Sequence, residues 1–331
     1  MALSWSVLDI DPSSEVERIC AGLHDATVRV LHKRGAVVAI SGGVDSGVCA
    51  ALAVRALGPA GVLGLILPER ESSPEGSQRA RSLAAQLGIR HIEQDITSTL
   101  DALGCYRGRD EAARRLMPAY GPGWRMKIVL AGGLQGRINH FRLVTEAPGG
   151  DRHELRLGLR EYLEIVAATS FKQRVRKTLE YFHADRLNYA VIGTPNRLEY
   201  DQGFFVKNGD GAADIKPIAH LYKSQVYALA AYLGLPPEIA AAPPATDTYS
   251  LPQGQDELYF GLPFREMDLA LWALGHGVPA AQLAEALGTT DERARNIYRD
   301  IRAKRRATLY LHRRPLLLGA VPEVEAGRET M

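Results

Sequence analysis

Residues Ala36-Val-Val-Ala-Ile40 run directly into Ser41-Gly-Gly-Val-Asp-Ser46, and this join decides the fold. An uninterrupted apolar run rich in β-branched side chains reads as a buried strand. Gly42 and Gly43 in the loop that follows have no Cβ, so their backbone amides can crowd a polyphosphate. Ser46 to Leu57 then has the apolar content of a packed helix, whose amino end favours anions. Asp45 does not suit a simple anion nest. A carboxylate among phosphates repels them unless a hard divalent cation lies between, so the loop points to ATP held jointly with magnesium. Glycine-rich strand-to-helix turns also occur in α/β proteins that bind no nucleotide, and that reading stands beside it.

Outward from the loop, helical periodicity covers Ser13 to Leu31. Strand-like runs recur at Val62 to Leu67, His91 to Ile96 and Tyr189 to Gly193. Pro74 to Leu87 supplies a helix between two of them, with Pro74 near its start and Gly88 just past its end. Alternation of strand and helix predicts an α/β fold: a doubly wound parallel sheet with helices on both faces and ligands at the carboxyl ends of the strands. Both the Ser41 loop and Gly193-Thr194 fall at such ends.

From about Gly104 to Ala168 the pattern changes. Arg125 to Leu130, Arg137 to Thr145 and His153 to Leu159 favour extended structure between glycine-rich turns, which predicts a β-rich insert at about 104–168. Its basic and aromatic residues, Cys105-Tyr-Arg-Gly-Arg109 and Arg125, suit contact with an anionic substrate or a partner chain, and equally a structural hairpin. Past Pro263, Phe264 to Leu274, Ala280 to Leu287 and Glu292 to Thr308 read as helices within a helical part at about 257–315. Gly319 to Met331 reads as a frayed tail.

At 331 residues and 46% apolar content the chain can bury a large core, and we read 1–331 as a single domain carrying these additions. No apolar run is long enough to span a bilayer. Met1 to Asp11 lacks a secretory layout, so the expected compartment is the cytoplasm. Cys20, Cys49 and Cys105 are scattered without CxxC spacing, which indicates neither a disulfide framework nor a zinc site. The 40 basic and 38 acidic residues nearly cancel, against a dedicated nucleic-acid binder.

The loop Ser-Gly-Gly-Xaa-Asp-Ser resembles the PP-loop of the ATP pyrophosphatases, which cleave ATP between the α and β phosphates. It lacks the Gly-Lys-Ser/Thr ending of a Walker A loop. Residues 191 to 225 carry Gly193-Thr-Pro-Asn-Arg-Leu-Glu199, Phe204-Phe-Val-Lys-Asn-Gly-Asp-Gly-Ala-Ala-Asp214 and Pro217-Ile-Ala-His-Leu-Tyr-Lys-Ser-Gln225. These closely resemble the ammonia-dependent NAD synthetases over roughly residues 15 to 100 and 170 to 310.

The resemblance implies an adenine nucleotide alpha hydrolase-like, Rossmann-like fold. It also implies an enzyme, a carbon–nitrogen ligase in which the carboxylate of deamido-NAD attacks the α-phosphorus of ATP and ammonia then displaces AMP. No protein nucleophile is needed, so positioning and charge neutralisation carry the chemistry. Ser41, Gly42, Gly43, Val44, Asp45, Ser46, Thr194, Lys223 and Thr246 match the family's ATP contacts, and Asp45 and Glu199 its magnesium ligands. Arg174, Lys207 and Asp214 match its contacts to the dinucleotide substrate. Asp45, Lys223 and Asp214 are the expected catalytic set. Taken singly, Glu199, Lys207 or Lys223 reads as a solvated charge; their joint spacing lifts them. The family also implies a homodimer. Free ammonia is the expected nitrogen donor, with a separate glutaminase as the other source.

Some positions leave the pattern. Ser170, Gln173 and Lys177 replace residues usual around the arginine pair Arg174 and Arg176, and the hydroxyl of Thr246 is shifted by one place. Lys304 and His312-Arg313 both resemble the family's carboxyl-terminal substrate clamp. These departures bear on the acceptor more than on the chemistry, so an amide synthetase of this fold acting on another acid is the alternative. A remote one is nucleic-acid binding through Val278 to Gly288 and Thr290 to Arg306, which resemble a helix-turn-helix.

Overall fold

The computed structural model describes residues 3–132, 140–244, 246 and 248–322. Helix α1 (Pro12–Asp25) begins at Asp11, whose carboxylate accepts from the amides of Ser13 and Ser14. The chain continues through β1 (Ala36–Ala39), α2 (Val44–Leu57), β2 (Val62–Ile66), α3 (Pro74–Gln86) and β3 (Arg90–Glu93). Ser73 caps α3 through the Gly76 amide and Pro74 takes the first helical position, as the sequence predicts.

Next come α4 (Thr97–Ala102), α5 (Cys105–Leu116), β4 (Arg125–Ala131), β5 (His140–Glu146), β6 (Arg152–Arg156), α6 (Leu159–Leu187) and β7 (Ala190–Ile192). The principal sheet is parallel throughout, in the order β3-β2-β1-β7. Alternation along its strands divides two cores. Val37, Leu63, Leu65 and Val191 face one way, onto Phe171, Val175 and Leu179 of α6. Val38, Ile66 and Ile192 face the other, onto α1 and α2. The sheet with helices on both faces is the architecture read from the sequence.

The insert holds a second, antiparallel sheet in the order β4-β5-β6, with Met126, Ile128 and Leu143 in its core. Its boundaries differ from expectation. Cys105–Leu116 is helical, because Cys105, Tyr106, Ala112 and Ala113 form one buried stripe. Leu159 to Ala168 is the beginning of α6, a 29-residue helix. That helix has no single apolar face: Ile165 belongs to the insert core, whereas residues from Phe171 onward pack on the principal sheet. Of the extended run expected at Arg137 to Thr145, residues 137–139 lie outside the described residues.

The remaining helices are α7 (Arg197–Gln202), α8 (Lys223–Tyr232), α9 (Pro237–Ala240), α10 (Phe264–Gly275), α11 (Ala280–Leu287) and α12 (Asp291–Thr308). Helices α7, α10, α11 and α12 share a core of Leu198, Met267, Leu271, Leu283, Ile297 and Ile301, whereas Val226 and Leu229 of α8 and Ile239 of α9 join the core on α1 and α2. Helix α12 braces α7, since Arg305 makes a two-pronged ion pair with Asp201 and the Thr308 hydroxyl donates to the Gln202 carbonyl. Part of the expected tail, 323–331, lies outside the described residues. Among the described residues no helix is long and apolar enough to cross a membrane.

Candidate active site

The loop after β1 is held by its own serines. The Ser41 amide donates to Ser46 Oγ at 3.2 Å, the Ser46 hydroxyl donates to the Gly43 carbonyl at 3.0 Å, and the Gly43 amide donates to Ser41 Oγ at 3.3 Å. Gly42 has φ +83°, and a Cβ there would stand 2.2 Å from the Gly76 carbonyl oxygen. Only glycine permits both the turn and the approach of α3. Arg79 Nε donates to the Gly42 carbonyl at 3.0 Å, tying α3 to the loop a second time.

Opposite the loop, Asn196 opens α7 in a capping box. Its carboxamide oxygen accepts from the Leu198 and Glu199 amides, and Glu199 Oε2 accepts from the Asn196 amide at 3.0 Å. The Asn196 Nδ2 donates to Asp45 Oδ1 at 3.0 Å, and Gln255 Nε2 donates to Glu199 Oε1 at 2.9 Å. Lys223, at the start of α8, closes the set with an ion pair to the other oxygen of Asp45. Asp268 of α10 accepts from the amides of Lys223 and Ser224 at 3.1 and 2.7 Å, fixing the end of α8 that carries the lysine.

Electrostatics follow from this crowding. Burial first, then repulsion from Asp45, pushes the Glu199 carboxyl up to about 8. Burial works to lower the Lys223 ammonium, and the carboxylates of Asp45 and Glu199 outweigh it, holding it above the ordinary lysine value. Two hard oxygen donors that repel each other beside the glycine loop are of the kind that fits magnesium. Among the described residues no group of three or more His, Cys, Asp or Glu side chains could hold a metal by itself.

A cavity of about 170 Å³ is lined by Ser41, Gly43, Val44, Asp45, Ser46, Thr194, Glu199 and Lys223. It adjoins a larger one of about 500 Å³, which shares Ser41, Thr194 and Glu199 and takes in Ser73, Arg79 and Thr246. The far end of the larger cavity is apolar. Phe141 of the insert stacks on Tyr162 there, with ring centroids 4.4 Å apart. Ser170, Gln173 and Lys177, the off-pattern positions, also line it.

Three expected substrate residues stand elsewhere. Arg174 is exposed and donates to the Lys207 carbonyl at 3.3 Å, and Lys207 Nζ donates to the Tyr310 carbonyl at 3.0 Å. Asp214, expected in the catalytic set, is exposed and lines neither cavity. Within one chain it stands apart from Asp45 and Lys223, the other two of that set. The Asp214 carboxylate takes the Val191 amide at 2.7 Å, satisfying an amide of the edge strand β7. The two candidate clamps also separate. Lys304 is buried against Asp300 and the Phe260 carbonyl. The ring of exposed His312 lies 4.8 Å from Tyr200 and 5.3 Å from Phe205, beside the contacts of Lys207.

Asn196, Gln255 and Asp268 were not among the expected site residues. Asn196 had a signal, since Asn-x-x-Glu ahead of an apolar position is a capping-box pattern. Nothing local marks Gln255 or Asp268.

A glycine loop at the end of a parallel strand, facing a buried lysine and two carboxylates across one cleft, defines an α/β nucleotide-binding protein of the PP-loop kind. Comparison with known proteins narrows this. The family model described as NAD synthase matches residues 15–128 and 154–307, leaving out the end of β4 and all of β5. A protein of Rhizobium meliloti named NH(3)-dependent NAD(+) synthetase is 53% identical over 98% of this chain and 97% of its own length. One of the same name from Mesorhizobium japonicum is 51% identical over 94% and 98%. Among solved structures, NMN synthetase from Francisella tularensis has TM-score 0.63 at 23% identity, covering 94% of this chain and 100% of that one. NH3-dependent NAD synthetase from Campylobacter jejuni has TM-score 0.61 at 22%, with the same coverages. The chain belongs to the NAD synthase family.

Proposed function

We propose that this chain is a carbon–nitrogen ligase that forms NAD from deamido-NAD, ammonia and ATP. The observation that carries it is the joining of Asp45, Asn196, Glu199 and Lys223 around the Ser41–Ser46 loop, in a chain whose full-length relatives bear the name NH(3)-dependent NAD(+) synthetase. A carboxylate oxygen of the acceptor attacks the α-phosphorus while the bond to pyrophosphate breaks. Ammonia then attacks the acyl carbon, AMP leaves, and a proton passes to solvent. Lys223 offsets the charge that grows on the leaving pyrophosphate, and the loop amides hold the phosphates. Asp45 and Glu199 would hold magnesium, which when bound neutralises charge between carboxylates and phosphates.

We infer further that the molecule works as a two-fold homodimer in the cytoplasm. The outward placement of Arg174, Lys207 and Asp214 supports a second copy completing the dinucleotide end. Ammonia enters free or from a separate glutaminase. Incubation with ATP, magnesium, ammonium and deamido-NAD tests the reaction: NAD, AMP and pyrophosphate are expected in equal amounts. ADP as product refutes it. The off-pattern Ser170, Gln173 and Lys177 in the cleft wall favour one alternative, an acceptor other than deamido-NAD, and AMP released only with a different acid would establish that instead.

A further inference from the structure

Lys172 of α6 lies in the wall of the larger cavity with its side chain 2% exposed. Its ammonium has three N–H groups, and each has an acceptor: Glu69 Oε1 at 2.9 Å, Glu71 Oε2 at 2.6 Å and the Thr248 carbonyl at 3.0 Å. None is left for a ligand. The network continues outward. Glu69 Oε2 accepts from the Tyr106 hydroxyl at 2.7 Å, and Arg109 pairs with the second oxygen of Glu71 and with Asp110. Burial would raise the Glu71 carboxyl, but Lys172 and Arg109 outweigh it and hold it below the ordinary value.

This hub joins four segments: the β2–α3 loop, α5 of the insert, α6, and the loop that carries Thr246 and Thr248. Three of them border the cavity that opens on the phosphate loop, α6 with Lys172 itself and one more on each side of it. Pro68, Ser72 and Ser73 line it directly, and Ser73 caps the helix whose Gly76 abuts Gly42. On the other side, Thr246 donates from its hydroxyl to Thr248 Oγ1 at 2.8 Å. Buried ion pairs stabilise poorly compared with packed apolar residues of the same volume, so this one matters chiefly for where it holds its partners.

We propose that Lys172 is a positioning residue for the nucleotide. Its ammonium holds both walls of the ATP cleft in register, and the α5 part of the insert, through Tyr106 and Arg109, is a required part of that site. The inference rests on ATP as the nucleotide and not on the identity of the acceptor.

Direct titration of the full chain with ATP and magnesium, without acceptor, is the first measurement, followed by KM for ATP and for acceptor separately. Lys172→Met is expected to weaken ATP binding at least about tenfold, the size typical of a residue acting through a ligand's neighbours. The acceptor KM should stay within about twofold. The double variant Lys172→Met with Glu71→Gln removes a charge of each sign, so it should recover part of the ATP affinity. It also decides the matter if the single variant fails to fold. A folded variant with wild-type ATP affinity, equal rises in both KM values, or no recovery in the double variant overturns the proposal. Wild-type protein that ignores ATP overturns the nucleotide reading instead.

Discussion

Asn196 Nδ2 lies 3.0 Å from Asp45 Oδ1, although the two residues are 151 positions apart in the chain. The same side chain caps α7, and the Asn196 backbone amide donates to Glu199 Oε2 at 3.0 Å, so one residue holds both carboxylates. Asn196→Ala is expected to cut kcat by about 10- to 100-fold, the usual cost of losing a group that orients ligands. Stability should fall by only about 1 kcal/mol, the value of an N-cap. Steady-state rates and a denaturant melt check both. Near-normal turnover, or a loss matched by gross unfolding, would defeat the assignment.

Lys223 is buried and paired with Asp45, and its backbone is fixed by Asp268. Lys223→Met should lower kcat by about 10²- to 10³-fold, as removal of a preorganised charge stabiliser does. Lys223→Arg should not restore it, because a guanidinium fork does not fit a site shaped for a point charge. Pyrophosphate release measured over a single turnover reads the step directly. Rates within tenfold of wild type in Lys223→Met would remove the lysine from the mechanism.

The parts of this site that were legible in sequence are those where backbone and chemistry coincide locally. Ser41–Ser46 carries its turn in its glycines, and Asn196-Arg-Leu-Glu199 carries its cap in its spacing. Lys172 was not legible: Glu69, Glu71 and Lys172 belong to no motif, and Arg109, read as suited to an anionic substrate, a partner chain or a hairpin, meets them only when three separate elements fold together. The beginning of helix α6, Leu159 to Ala168, hid for a related reason, because the helix's apolar residues serve two cores in succession and give no constant face. Asp214 shows a different limit: a motif position suggested chemistry, and nothing in the sequence signals that in the single chain its carboxylate also completes the hydrogen bonding of an edge strand.

Asp268 gives the stability a pH dependence of known sign. Burial, working against hydrogen bonds from Ser224 and Lys223, raises its pKa from 3.8 to about 6. Between those values the folded state binds more protons than the unfolded state, so this group's contribution is full below about pH 3.8 and is lost as pH rises through about 6. The change is on the order of 3 kcal/mol. Asp268→Asn should flatten the stability profile in that window. Urea midpoints from pH 4 to 7 for both proteins test this, and parallel profiles would show that Asp268 does not titrate there.

Gly42→Ala separates the loop's conformation from its charge. The substitution adds one methyl group to a residue at φ +83°, aimed at the Gly76 carbonyl oxygen 2.2 Å away. Left-handed backbone alone costs a non-glycine residue roughly 1–2 kcal/mol, and relieving the contact must push α3 and its cap at Ser73 away from the phosphate loop. Asp45, Glu199 and Lys223 keep their identities, so a purely electrostatic site would survive. Loss of ATP binding with the fold retained is the expected result, read by titration beside a thermal melt. Unchanged ATP affinity would mean that the close approach of α3 to the loop is not what shapes the phosphate site.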